Sequence, residues 1–120
     1  MEKVIQQAIN NLSNERYYMK HLEIISPFLP AHLTPKEIEV LGWFMSFEET
    51  GLLKRFDTLY RGVVRKELKL SHSGLSGHLS ILKSKGAIKE DLAENLNINE
   101  YLFPNDGEQL YQFKIKRKNE

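Results

Sequence analysis

The chain has 120 residues, 41% of them hydrophobic and 28% charged, which suits one domain with a buried core and is too apolar for a disordered chain. It contains no cysteine, which excludes disulfides, thiolate metal sites and cysteine nucleophiles, and no apolar run approaches the ~20 residues that span a bilayer. The net charge is +1, yet residues 51–90 carry nine basic and three acidic side chains between two acidic flanks. That is either a local footprint for a polyanion or a lysine-rich solvated face.

The N-terminus, "MEKVIQQAIN", is too polar for a signal peptide, so a cytoplasmic location is the expectation. Val4, Ile5, Ala8, Ile9 and Leu12 form one apolar stripe at helical spacing. "YYMKHLEIISPFLP" is rich in aromatic and β-branched residues, which predicts an extended segment from about Tyr17 to Ile25, with a continued helix as the competitor. Pro27 and Pro30 end either one.

"LTPKEIEVLGWFMSF" is the clearest helix start. Thr34 caps, Pro35 suits the first helical position, and Glu37 completes a capping box. Ile38, Leu41 and Met45 supply the buried face, and the helix ends near Phe47 or Glu49. A second short helix spans about Leu59 to Leu68, with Val63, Val64 and Leu68 inward and Arg61, Arg65 and Lys69 recurring on the other side. "KLSH" is a turn, and Ser71 caps a further helix that runs to Lys85 and stops at Gly86. "AIKE" is a short strand. "INEYLF" and "QLYQFKIK" alternate around "PNDGE", which predicts a β-hairpin from Ile98 to Lys116.

Helix, short helix, turn, helix and hairpin is the order of a winged helix-turn-helix. "LKLSHSGLSGHLSILKSKGAI" resembles the helix-turn-helix of MarR-like and ArsR-like bacterial regulators. The match rests on Ser71, Leu75, His78, Leu79, Leu82, Lys85, Gly86 and Ile88, in register without a gap. A weaker similarity points to small winged-helix proteins of bacterial viruses. The resemblance covers about residues 33–116. It implies an α+β, mostly α fold, with a three-helix core, a C-terminal hairpin wing and an N-terminal helix or extended segment over residues 1–32. Residues 117–120 read as a tail.

The resemblance also implies a function: a transcriptional regulator that inserts helix 71–85 into the major groove of double-stranded DNA. By position, Ser71, His72 and Ser73 approach the DNA first, and Ser76, Gly77 and Ser80 follow. Arg61, Arg65, Lys66 and Lys69 lie over phosphates, with Lys83 and Lys85 beside them. Asn105 at the wing tip and Lys114 on the wing complete the set. The first ~30 residues either cover the domain or make a homodimer, as helices outside the DNA-binding core do in MarR-like proteins.

One departure from the family stands out. With Leu75 at zero and 100° per residue, Leu79 and Leu82 fall on the core side. Ser73, Gly77, Ser80 and Ser84 fall opposite, with Ile81 beside them. Members of the family often carry threonine near position 74 and arginine near 77, and here both are glycine. No Arg, Asn or Gln stands on this face to discriminate bases. The alternative is a protein–protein module that uses the same small face, with Ile81 in the interface.

The other candidates point away from catalysis. His21, His32, His72 and His78 lack metal-ligand spacing. "GLSG" is neither a nucleophile elbow nor a phosphate loop. The expectation is a non-enzymatic protein without metal, cofactor or membrane partner.

Overall fold

The computed structural model describes residues 12–105, 109–114 and 116–118. The stripe from Val4 to Ile9 lies outside them. The chain is α+β and mostly helical: α1 (Asn14–Ile25), α2 (Pro35–Ser46), α3 (Thr58–Leu68) and α4 (His72–Ser84), then strands β1 (Ile88–Glu90) and β2 (Leu96–Ile98).

Residues Tyr17 to Ile25 are helical, which overturns the extended segment expected there. The local β preference of these residues yields to packing. Tyr18, Met19, Leu22 and Ile25 recur on one stripe and press against the core, and Leu22 is fully buried. α2 makes the close approach possible. A Cβ at Gly42 would stand 2.5 Å from Met19 Cγ and 3.2 Å from the Met19 backbone nitrogen. Only a glycine lets the two backbones come this near.

α2 begins as its sequence dictates. Thr34 Oγ1 accepts from the Glu37 N–H at 3.3 Å, and Glu37 Oε1 accepts from the Thr34 N–H at 3.1 Å. Val40, Leu41, Phe44 and Met45 are buried along it. Around them close Val64 of α3, Leu75, Leu79 and Leu82 of α4, and Ile88 of β1. Val63 is only half-buried, so α3 turns a narrower face inward than expected. Phe56, in the connector before α3, stacks on Phe44 at 4.5 Å between ring centres, and Tyr60 stacks on Phe47 at 4.1 Å.

The hairpin is not where the alternation placed it. β1 and β2 pair antiparallel with Ile88 opposite Ile98, Lys89 opposite Asn97 and Glu90 opposite Leu96. Asp91 builds the turn: its Oδ1 accepts from the backbone N–H groups of Ala93 and Asn95, and its Oδ2 from Asn97 Nδ2. Glu94 takes the left-handed conformation that closes it. Beyond β2, Asn99 caps a short 3₁₀ turn, Glu100–Leu102, which buries Leu102. Among the described residues from Asn99 onward there is no strand. The physical reason is competition for a partner. β1 pairs with the first strand that a short Asx-type turn can return to it, and the aromatics further on go elsewhere, Tyr111 to His21 of α1 and Phe113 to Phe28 just beyond it.

Candidate nucleic-acid interface

α4 is held in place by its two ends. At the start, Ser71 Oγ accepts from the Gly74 N–H at 3.0 Å, which satisfies an otherwise open donor. A Cβ at Gly74 would lie 3.1 Å from that oxygen, so the first glycine of "SGLSG" belongs to the cap. At the far end, Gly86 has φ +81°, and Lys85 Nζ donates to Glu37 Oε1 at 2.6 Å and to the His32 carbonyl at 2.8 Å. Leu75, Leu79 and Leu82 face the core, as their spacing requires.

The opposite face is open. Ser71, His72, Ser73, Ser76, Gly77 and Ser80 are all exposed, as is Ser84. Ile81 stands among them, 43% exposed. A Cβ at Gly77 would meet nothing within 4 Å, so no neighbour demands its small size. It lies at the centre of a smooth strip bounded by serines. His78 sits half-buried at the margin, with Nδ1 buried and without a hydrogen-bond partner among the described residues.

The cations around this helix divide into two groups. Lys66 and Lys69 are exposed and form no ion pair among the described residues, and Lys69 holds a left-handed conformation, φ 55° and ψ 51°, at the turn into α4. Arg65 lies back over Gly62, half-buried, with Nε buried and unpartnered among the described residues. Arg65 and Lys66 stand in the last turn of α3 and Lys69 caps it, just before α4 in the chain. The others are already engaged. Arg61 Nε donates to the Phe56 carbonyl at 2.6 Å, and the residue lines a cleft of about 210 Å³ with Asp57, Asp91 and Glu94. Lys83 Nζ pairs with Glu90 at 2.6 Å, and Lys85 with Glu37.

The two wing positions require correction. Neither Asn105 nor Lys114 lies in a strand, and residues 106–108 of the expected turn are outside the described residues. Asn105 follows the 3₁₀ turn, where its carbonyl accepts from Tyr17 OH at 3.1 Å and its N–H donates to Gln109 Oε1 at 2.8 Å. Lys114 is exposed on a non-regular segment. The hairpin that does exist carries Lys89 against Glu90, Asp91 and Glu94. Hydrogen bonds from the Asn95 backbone, from Asn97 and from Ala93 hold the Asp91 carboxyl below the usual carboxylate range. A turn so charged repels phosphate.

The sequence singles out His21 only as a histidine without metal-ligand spacing. It is buried at the inner side of α1, where Nε2 lies 2.7 Å from the Leu102 carbonyl and Nδ1 meets Tyr111 OH. A carbonyl only accepts, so Nε2 carries the proton and Nδ1 accepts from the tyrosine. Burial pulls the imidazole below its ordinary value against the opposing pull of the Leu102 carbonyl, and burial pushes the Tyr111 phenol up to about 12. The "HL" of α4 had a pattern to announce it. The signal for His21 was only its place on the apolar stripe with Tyr18, Leu22 and Ile25.

Among the described residues, no group of three or more histidines and carboxylates is placed to hold a metal ion, and no helix is long and apolar enough to cross a membrane. No protein-family model, curated protein or solved structure matches this chain.

Proposed function

We propose that this chain is a winged-helix DNA-binding protein, acting as a transcriptional regulator, that lays the open face of α4 in the major groove of duplex DNA. One observation carries this reading. Ser73, Gly77 and Ser80 form an exposed strip on α4, and the chain just before that helix carries Arg65 and the exposed ammonium groups of Lys66 and Lys69, unpaired among the described residues. A strip of small side chains lets a helix sit deep in a groove, and the cations beside it supply the salt-dependent affinity. The face lacks a two-pronged base reader, so discrimination rests on backbone and shape rather than on base edges.

The test is a titration of a random 20-base-pair duplex at 50 and 200 mM salt. The three phosphate contacts at α4 by themselves weaken binding by about 40-fold over that range, and replacing Arg65 and Lys69 by alanine makes the slope shallower by about 2. Absence of binding at 50 mM salt overturns the reading. In that event the exposure of Ile81 within the strip favours a protein partner, and Ile81→Asp then abolishes that association.

A further inference from the structure

The hairpin is acidic, so a wing-like second contact with phosphates has to come from another part of the chain. The opposite charge pattern stands near the C-terminus. Between Gln109 and Lys118 there are four cations, Lys114, Lys116, Arg117 and Lys118, and no acid. All four are exposed and none forms an ion pair among the described residues.

The segment leading to these cations is seated on α1. Tyr17 OH donates to the Asn105 carbonyl, Tyr111 OH donates to His21, and the Phe113 ring stacks on Phe28 with 4.8 Å between centres and 19° between planes. The contact points advance together along both stretches. The segment therefore runs in the direction of α1 and passes its C-terminal end. There the chain from Leu29 to Leu33 closes on the end of α4: Lys85 donates to the His32 carbonyl, and Leu29, Pro30, Ala31, Lys85, Gly86 and Ala87 line one groove. Phe113 thus anchors the segment beside the loop that abuts α4. Five further residues reach about 17 Å, close to the ~20 Å length of α4 itself.

We propose that Lys114, Lys116, Arg117 and Lys118 form an electrostatic arm that takes phosphates of duplex DNA next to those met by α4. This inference rests on the DNA reading above. The arm takes over the role that the acidic hairpin cannot fill. Its anchors, Tyr111 and Phe113, hold the four charges near the duplex, which raises their effective concentration there.

The experiment measures affinity of the full chain for a random 20-base-pair duplex as a function of salt. Three proteins are compared: the parent, a variant with all four cations replaced by alanine, and a variant with Tyr111→Ala and Phe113→Ala. The parent binds. The charge variant loses about 3.6 from the salt slope and at least ~10-fold in affinity at 100 mM salt. The anchor variant keeps its charges and weakens by roughly 3- to 10-fold. If the parent binds and the charge variant matches it in slope and affinity, the arm is overturned. An anchor variant that binds like the parent overturns the seating. A parent that does not bind at low salt removes the DNA reading itself, and the arm with it.

Discussion

Glu37 Oε1 receives both the Lys85 ammonium at 2.6 Å and the Thr34 backbone N–H at 3.1 Å, so one carboxylate closes the capping box of α2 and ties down the end of α4. The residue is 4% exposed. Burial pushes its carboxyl up, but the Lys85 ammonium and the hydrogen bonds from Thr34 outweigh it and leave it below the usual carboxylate range. Lys85→Met strands the buried charge and destabilises the fold by about 2 kcal/mol, less than the cost of breaking a fully buried pair because the lysine is partly solvated. A carboxylate with a depressed folded value contributes stability at neutral pH that is lost as pH falls through that value. The variant therefore unfolds at higher pH in an acid titration followed by circular dichroism. An unchanged acid midpoint contradicts the pair's role.

Gly42 and Met19 mark the closest approach of α1 and α2. Gly42→Ala gains helix propensity of about 1 kcal/mol but forces the helices apart, for a net loss of about 1–3 kcal/mol. The Met19 side chain can yield, whereas the backbone beside Gly42 cannot. Met19→Ala therefore recovers part of the loss and not all of it, and a double-mutant cycle in urea measures the coupling.

Among these groups, His21 makes stability depend on pH in the mildly acidic range. Its folded value is depressed, so the unfolded chain binds more protons below the ordinary histidine value of about 6.5. Stability is full above that pH and declines as pH falls through the folded value. Protonation also places a hydrogen on Nδ1, where Tyr111 already donates. Denaturant midpoints measured from pH 8 to pH 5 fall in the parent and stay flatter in His21→Gln. Tyr111→Phe removes the hydroxyl and costs about 1 kcal/mol at pH 7.5. Equal pH dependence in parent and His21→Gln would refute the assignment.

Lys69 holds a left-handed backbone without being glycine. Lys69→Gly relieves that conformation and raises stability by about 1 kcal/mol. The same change removes an exposed cation beside α4, so duplex binding weakens while the melting temperature rises. Measured together, the two readouts separate fold from function at one residue. A loss of both indicates a structural role for the ammonium.

A methyl group at Gly77 would project into open space, so Gly77→Ala stabilises α4 by about 1 kcal/mol. On the proposed interface the added methyl group keeps α4 out of the groove and lowers affinity. Thermal melts and the duplex titration check the two halves.

The starts of α2 and α4 were legible because their signals are local. Thr34, Pro35 and Glu37 write their own cap, Ser71 writes another, and Leu75, Leu79 and Leu82 keep helical spacing whatever lies around them. The turn "EDLAEN" was legible in principle, since Asp91 is followed at two and four residues by the N–H groups it accepts. It was passed over in favour of the more conspicuous "PNDGE". The exposed face of α4 was legible, since it is simply the one opposite the leucines.

What the chain by itself determined, then, is where α2, α3 and α4 start, which face of α4 is free, and that the middle third is basic. The tertiary structure decided the rest. It made Tyr17 to Ile25 a helix, since Gly42 offers that segment a surface only when α2 is beside it. It paired Ile88–Glu90 with Leu96–Ile98, since a strand exists only with a partner and the nearer one wins. And it sorted like cations into different uses: Arg61, Lys83 and Lys85 bound to neighbours, Lys66 and Lys69 left to solvent. Charge is a property of the residue, but its availability depends on which oxygen the fold brings within reach.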